Sequence, residues 1–124
     1  MPVKMSKNAF GMHGQQVAET YLSENGYNII ARNYRVRTGE IDIIACHGKY
    51  IVFIEVKSRT QVYGGLPREA VTPAKQQKII HTAMHYISAN EEKLQEQDFR
   101  FDVTEVLKID GKFYINHIED AFSL

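Results

Sequence analysis

The chain has 124 residues, 44% of them hydrophobic and 24% charged, and its 15 Lys/Arg balance its 15 Asp/Glu. This composition argues against a disordered or membrane-embedded chain and fits one domain, residues 1–124, with a core of its own. Cys46 is the only cysteine, which leaves no disulfide framework and no thiolate metal cluster.

The opening stretch, "MPVKMSKNAF", has basic residues but no apolar run after them, which argues against a signal peptide. No later segment is long enough to span a bilayer, so a cytoplasmic location and no membrane partner are expected. Residues 9–25 predict a helix with Val17, Ala18, Tyr21 and Leu22 on one stripe and Gly26 just past its end. "YNIIARNYRVR" (27–37) reads as a strand, apolar early and basic late. "EIDIIAC" (40–46) and "YIVFIEV" (50–56) are strands rich in β-branched residues, joined by a tight turn on Gly48-Lys49. Residues 61–70 read as a loop. Thr72 followed by Pro73 marks a helix start, and Ile79, Ile80, Ala83, Met84 and Ile87 give that helix an apolar face. After a charged connector, residues 99–109 and 112–118 are strands around the hairpin signal Asp110-Gly111. The order is α-β-β-β-α-β-β, an α/β fold with a mixed sheet flanked by helices.

Charge is unevenly distributed along this order. Residues 1–80 carry 11 Lys/Arg against 6 Asp/Glu, and residues 81–124 carry 4 against 9. Such polarity can give one face a positive field despite overall neutrality, as a nucleic-acid partner requires, although a simple contrast between a helix face and a tail would give the same count.

The unusual stretch is "GEIDIIACHGKYIVFIEVKSR" (39–59), which sets Glu40, Asp42, Glu55 and Lys57 among isoleucines and valines. A two-residue turn at Gly48-Lys49 pairs residues whose numbers sum to 97, so Asp42 falls opposite Glu55 and Glu40 opposite Lys57. Like charges so placed are destabilising unless protonated or bridged by a cation. A divalent ion such as Mg²⁺, which commonly takes one or two carboxylates plus phosphate oxygens, resolves the conflict. Glu55 and Lys57 share a strand face, so the lysine would stand beside the metal and could orient or activate a water for phosphodiester hydrolysis. The same residues also read as a plain Glu40–Lys57 ion pair with Asp42 and Glu55 at solvated strand ends.

"GEIDIIA…IVFIEVKSR" resembles the D-x(n)-E-x-K signature of PD-(D/E)XK nucleases, the restriction-endonuclease-like fold. With "AETYLSENGYNIIARNYRVRTGEIDIIA", "YGGLPREAVTPAKQQKI", "RFDV" and "HIEDAF", the chain from about residue 14 to residue 122 resembles the uncharacterised bacterial YraN-type family, which is similar in sequence to archaeal Holliday-junction resolvases. The resemblance implies a restriction-endonuclease-like α/β fold and a metal-dependent endonuclease acting on branched DNA. The alternative is a binding module that keeps the fold without catalysis. It implies Asp42, Glu55 and Lys57 as catalytic residues. It also implies Mg²⁺ or Mn²⁺ held by Asp42, Glu55 and the Val56 carbonyl, with Glu40 in support. Where the family commonly has Gly-Glu in the first helix, this chain has Gly14-Gln15, so Gln15 offers an amide where a further acid is expected. Glu19, four residues on, reads as a surface residue. A junction-cutting enzyme with one site per chain also implies a homodimer.

Other candidates carry less. Arg37, Arg59 and Lys75 are expected to contact phosphate, within a wider basic set that includes Arg32, Arg35, Arg68 and Lys78. His81 and His85 have zinc-helix spacing but lack the glutamate of H-E-x-x-H and a third ligand. Tyr34 and Tyr63 offer stacking surfaces or packing, Gly64-Gly65 a flap or an ordinary loop, and Asp102 an ion pair with a basic residue.

Overall fold

In the computed structural model, which describes residues 2–5, 13–59 and 71–123, a six-stranded mixed sheet carries one helix on each face. The chain runs β1 (Val3–Lys4), α1 (Gly14–Glu24), β2 (Asn28–Val36), β3 (Gly39–His47), β4 (Tyr50–Arg59), α2 (Pro73–Ala89), β5 (Asp98–Ile109) and β6 (Lys112–Phe122). The sheet order is β1-β6-β5-β4-β3-β2. Among the described residues only β4 and β5 are parallel, and α2 lies in the crossover such a pair requires. The expected α-β-β-β-α-β-β order holds, with the two-residue β1 added at the edge. A pair of residues carries no periodicity of its own, and β1 exists because Val3 and Lys4 find Ile115 and Tyr114 on β6.

Local chemistry explains most element ends. Thr72 caps α2, accepting the Lys75 N–H at 3.2 Å with Pro73 in the first turn. Gly48 and the Asp110-Gly111 pair take the positive φ angles that tight hairpins demand. The first helix begins at Gly14, and the earlier part of the expected helix, 9–12, lies outside the described residues. So do the expected loop 61–70, with Tyr63, Gly64, Gly65 and Arg68.

Val17, Ala18 and Leu22 of α1 pack on Ile43, Ala45, Val52 and Ile54. On the opposite face Ile79, Ile80 and Ala83 of α2 pack on Ile41, Ile44, Ile51 and Phe53. Met84 departs from the expected apolar face: it is exposed, and Thr82 is buried instead. Thr82 is tolerated there because its hydroxyl donates to the Lys78 carbonyl at 2.8 Å. Tyr34 packs edge-on against Tyr86 in this second core, 5.1 Å between centroids.

A buried polar network ties the far strands together and accounts for Asp102. The Asp102 carboxylate, fully buried, accepts both Arg100 Nε at 2.9 Å and Arg100 Nη2 at 3.0 Å, and lies 2.8 Å from His117 Nε2. Tyr27 Oη donates to it at 3.1 Å, and Thr104 Oγ1 closes on His117 Nδ1 at 2.7 Å. The β5–β6 register shifts between Phe101 and Val103. Asp120, at φ 52°, turns its N–H onto the same carboxylate at 3.0 Å. Burial alone would raise the Asp102 pKa, but hydrogen bonds from His117 and Arg100 hold it below the ordinary carboxylate value.

Replacing Asp102 with Asn leaves Arg100 buried without its counter-ion and should cost about 3–5 kcal/mol at neutral pH. Because the folded pKa is depressed, the Asp102 contribution is present above the unfolded value near 3.8 and fades as pH falls through the folded value. Chemical denaturation of parent and Asp102→Asn at neutral and at acid pH checks both the loss and its convergence.

Candidate metal and phosphodiester site

The site forms where β3 parts from β4. Pairing runs from His47↔Tyr50 to Ile43↔Ile54 in the expected 97-sum register and no further. One residue beyond, the Asp42 side chain replaces the ladder: its Oδ2 accepts the Val56 N–H at 2.8 Å. Strict alternation would put Ile41 and Ile43 on one face, yet Ile41 lies in the α2-side core and Ile43 in the α1-side core. Across on β2, between the pairs Arg32↔Ile43 and Tyr34↔Ile41, Asn33 adopts φ 50°. The irregularity therefore affects both strands and turns Asp42 into the gap.

Glu55 ends the apolar run of β4 and is buried, 6% exposed. Its Oε1 lies 2.9 Å from Lys75 Nζ on α2 and 4.0 Å from Lys57 Nζ on its own strand. Strand alternation puts Glu55 and Lys57 on the α2 face, and the first turn of α2 delivers Lys75 to the same carboxylate. The four side chains of Asp42, Glu55, Lys57 and Lys75 thus form one cluster.

Electrostatics within it is tightly linked. Burial first, and then the charge of Glu55, push the Asp42 carboxyl up to about 6 against the opposing Val56 N–H. Burial, and then contact with Lys75, hold the Lys57 amine below its ordinary value against the pull of Glu55 and Asp42. Burial also works against charge on Lys75, but its bonds to Glu55 and Lys57 win and raise it. Two neighbouring amines are thereby driven in opposite directions.

The other expected residues fall at varied distances from this centre. Gln15 borders it: its Nε2 donates to the Asp42 carbonyl at 3.3 Å and to Glu19 Oε2 at 3.4 Å. A Cβ at Gly14 would overlap Ser58 Oγ, so glycine lets the start of α1 come this close to β4. Glu19 is bound to Arg32 at 2.6 Å. Glu40 does not meet Lys57. With the β3–β4 ladder already ended, it faces β2 and pairs with Arg35 at 3.1 Å, which also removes the reading of a Glu40–Lys57 ion pair beside solvated acids. Arg37 is exposed after β2. Arg59 lies 3.1 Å from Glu105 Oε2 as an ion pair. His81 and His85 are exposed and line an open depression of about 340 Å³ with Thr38, Met84 and Ser88.

Two contacts escaped the sequence reading. Lys75, named there as a phosphate contact, holds Glu55 in this structure. Glu105, 2% exposed, stands beside Lys57 in the parallel register, and burial raises its pKa. An acid inside the apolar run "VTEVL" is a signal, but the strand it would face is set by a pairing between distant segments.

Among the described residues no group of three or more His, Cys, Asp or Glu is arranged to hold a metal ion. The donor set is two carboxylates. That does not suit a closed structural zinc site, but it does suit a hard divalent cation that completes its shell with water and phosphate oxygens. Among the described residues no helix is long and apolar enough to cross a membrane.

Fold and cluster together define a mixed α/β domain of nuclease-like architecture with two acids and two lysines at a split in its central sheet. The chain belongs to the uncharacterised protein family UPF0102, the YraN-type family, whose model matches residues 14–106. It is 47% identical over 119 residues to the UPF0102 protein of Lachnoclostridium phytofermentans, covering 95% of this chain and 96% of that one. It is 43% identical over 122 residues to that of Caldanaerobacter subterraneus subsp. tengcongensis, covering 96% and 98%, and 36% identical over 119 residues to that of Bifidobacterium longum, covering 95% and 96%.

The raised Asp42 pKa makes a stability prediction. The folded value, about 6, lies above the ordinary 3.8, so the folded chain holds this proton more tightly and loses stability as pH rises between them. Asp42→Asn should therefore be more stable than the parent by about 1–3 kcal/mol near pH 7–8, allowing for partial solvent screening, with the gain vanishing near pH 4. Melting curves at acid, intermediate and neutral pH check the trend.

Proposed function

We propose that this protein is a metal-dependent endonuclease that hydrolyses phosphodiester bonds in branched DNA. The observation that carries this reading is the convergence of Asp42, aligned by the Val56 N–H at 2.8 Å, and the buried Glu55 beside Lys57. Asp42, Glu55 and the Val56 carbonyl would hold Mg²⁺ or Mn²⁺. Bound there, the ion would supply Lewis-acid stabilisation of charge on a phosphoryl oxygen.

The chain's own groups perform the remaining work. Lys57, whose Nζ stands 4.0 Å from Glu55 Oε1, would be placed beside the ion to orient the attacking water and to stabilise charge in the transition state. Asp42 cannot drift, because Val56 fixes one of its oxygens, and Gln15 steadies the β3 backbone behind it. Arg37, exposed after β2, would meet the phosphate backbone, and Arg59 and Lys75 would join it by leaving their pairs with Glu105 and Glu55. A twofold dimer would present two such sites for paired incisions.

The alternative is a nucleic-acid-binding module with little turnover. What favours it is Gln15, whose amide nitrogen donates to a carbonyl where a further metal-binding acid is expected.

The test is cleavage of branched, flapped and linear DNA with Mg²⁺ or Mn²⁺. Glu55→Gln and Lys57→Met should each reduce the rate by about 100-fold or more while remaining folded. Chelation should abolish cleavage. Unchanged rates in these variants would remove their assigned roles, and tight binding without metal-dependent turnover would favour the binding module.

Affinity for DNA should also fall steeply with salt, since phosphate contacts release counterions. Titrations at several salt concentrations measure this slope, and strong binding with a flat slope would contradict a phosphate-dominated interface.

A further inference from the structure

We propose that Lys75 is an exchangeable cation: without a divalent ion its ammonium fills the cation position of Glu55, and metal binding releases it to a substrate phosphate. The inference rests on the metal-site reading above, and assigns Lys75 a substrate-binding role at that site. Lys75 Nζ stands 2.9 Å from Glu55 Oε1, and Lys57 Nζ approaches the same oxygen at 4.0 Å. A hard divalent ion bound at Glu55 would claim the carboxylate on which both amines converge.

Charge explains why one amine must then leave. In formal charges, Asp42 and Glu55 balance Lys57 and Lys75, so the cluster is neutral by itself. A divalent ion adds two positive charges that the cluster does not offset. A phosphodiester, more negative in its transition state than in its ground state, supplies the missing charge. Lysine adds to this complementarity once it faces the phosphate instead of Glu55.

Mobility decides which amine moves. Glu55 is confined, with a side chain only 7% exposed, and Lys57 is 24% exposed. The Lys75 side chain is 42% exposed and hangs on four methylenes from the first turn of α2. Its backbone is anchored by the Thr72 cap at 3.2 Å, so the head group can swing without disturbing the helix. Swinging out of the pair exposes an ammonium that water solvates well, while the incoming ion takes over the charge on Glu55.

Calorimetric titration of the full chain with Mn²⁺ alone tests this, using the parent, Lys75→Met, Lys75→Arg and Glu55→Gln. Removing the competing ammonium should tighten Mn²⁺ binding about 3- to 10-fold in Lys75→Met, whereas Lys75→Arg should bind as weakly as the parent. With Ca²⁺ present, Lys75→Met should bind branched DNA more weakly, and its log–log salt slope should be smaller by about 1. Equal or weaker Mn²⁺ affinity in Lys75→Met, with Glu55→Gln still losing the ion, would overturn the exchange and leave the metal site standing. A Lys75→Arg variant as tight as Lys75→Met would also overturn it, since the gain would then come from packing and not charge. If neither parent nor Lys75→Met takes up Mn²⁺, the metal site and the exchange fall together.

Discussion

The hydrogen bond from the Val56 N–H to Asp42 Oδ2, 2.8 Å long, is the contact on which the rest of the site depends. Strands β3 and β4 pair only as far as Ile43↔Ile54, and past that point a main-chain donor on β4 would face a gap. A buried donor without an acceptor is costly, so something must fill the gap. A carboxylate does so here. The same contact satisfies the backbone and fixes the acid beside Glu55, so sheet architecture and site geometry have one cause.

Two aspartates enter irregularities of this sheet, with opposite results. Asp102 lies where the β5–β6 register shifts and is surrounded by Arg100, His117, Tyr27 and the Asp120 N–H, which favour its charged form. Asp42 lies where β3–β4 pairing ends and receives one main-chain bond, while burial and then the neighbouring Glu55 disfavour its charge. The first arrangement is complete and holds the ends of the fold together. The second leaves two carboxylates close together, offset only by lysines that reach in from Glu55's own strand and from α2.

The opposed behaviour of Lys57 and Lys75 follows from where each is attached. Lys57 is built into a central strand, where burial, and then contact with Lys75, lower its pKa. Lys75 reaches in from α2, bonds Glu55 and keeps its charge. Two chemically identical groups thus meet different surroundings within one cluster. The parallel β4–β5 pair makes this arrangement possible, because its crossover helix returns the chain across the face on which Glu55 and Lys57 stand.

Much of this was legible in the sequence because it depends on neighbours along the chain. Two-residue periodicity and the glycine of the Gly48-Lys49 turn determined β3, β4 and their register as far as Ile43↔Ile54. Thr72-Pro73 marked the start of α2, and Asp110-Gly111 the last hairpin, since caps and tight turns are local chemistry. Tertiary structure alone decided where the register stops, so Glu40 turned to Arg35 on β2 and not to Lys57. It alone joined β1 to β6, set Glu105 beside Lys57 and carried Lys75 across to Glu55. Those contacts join segments far apart in the chain, and their free energy comes from packing between elements, which no local pattern of residues encodes.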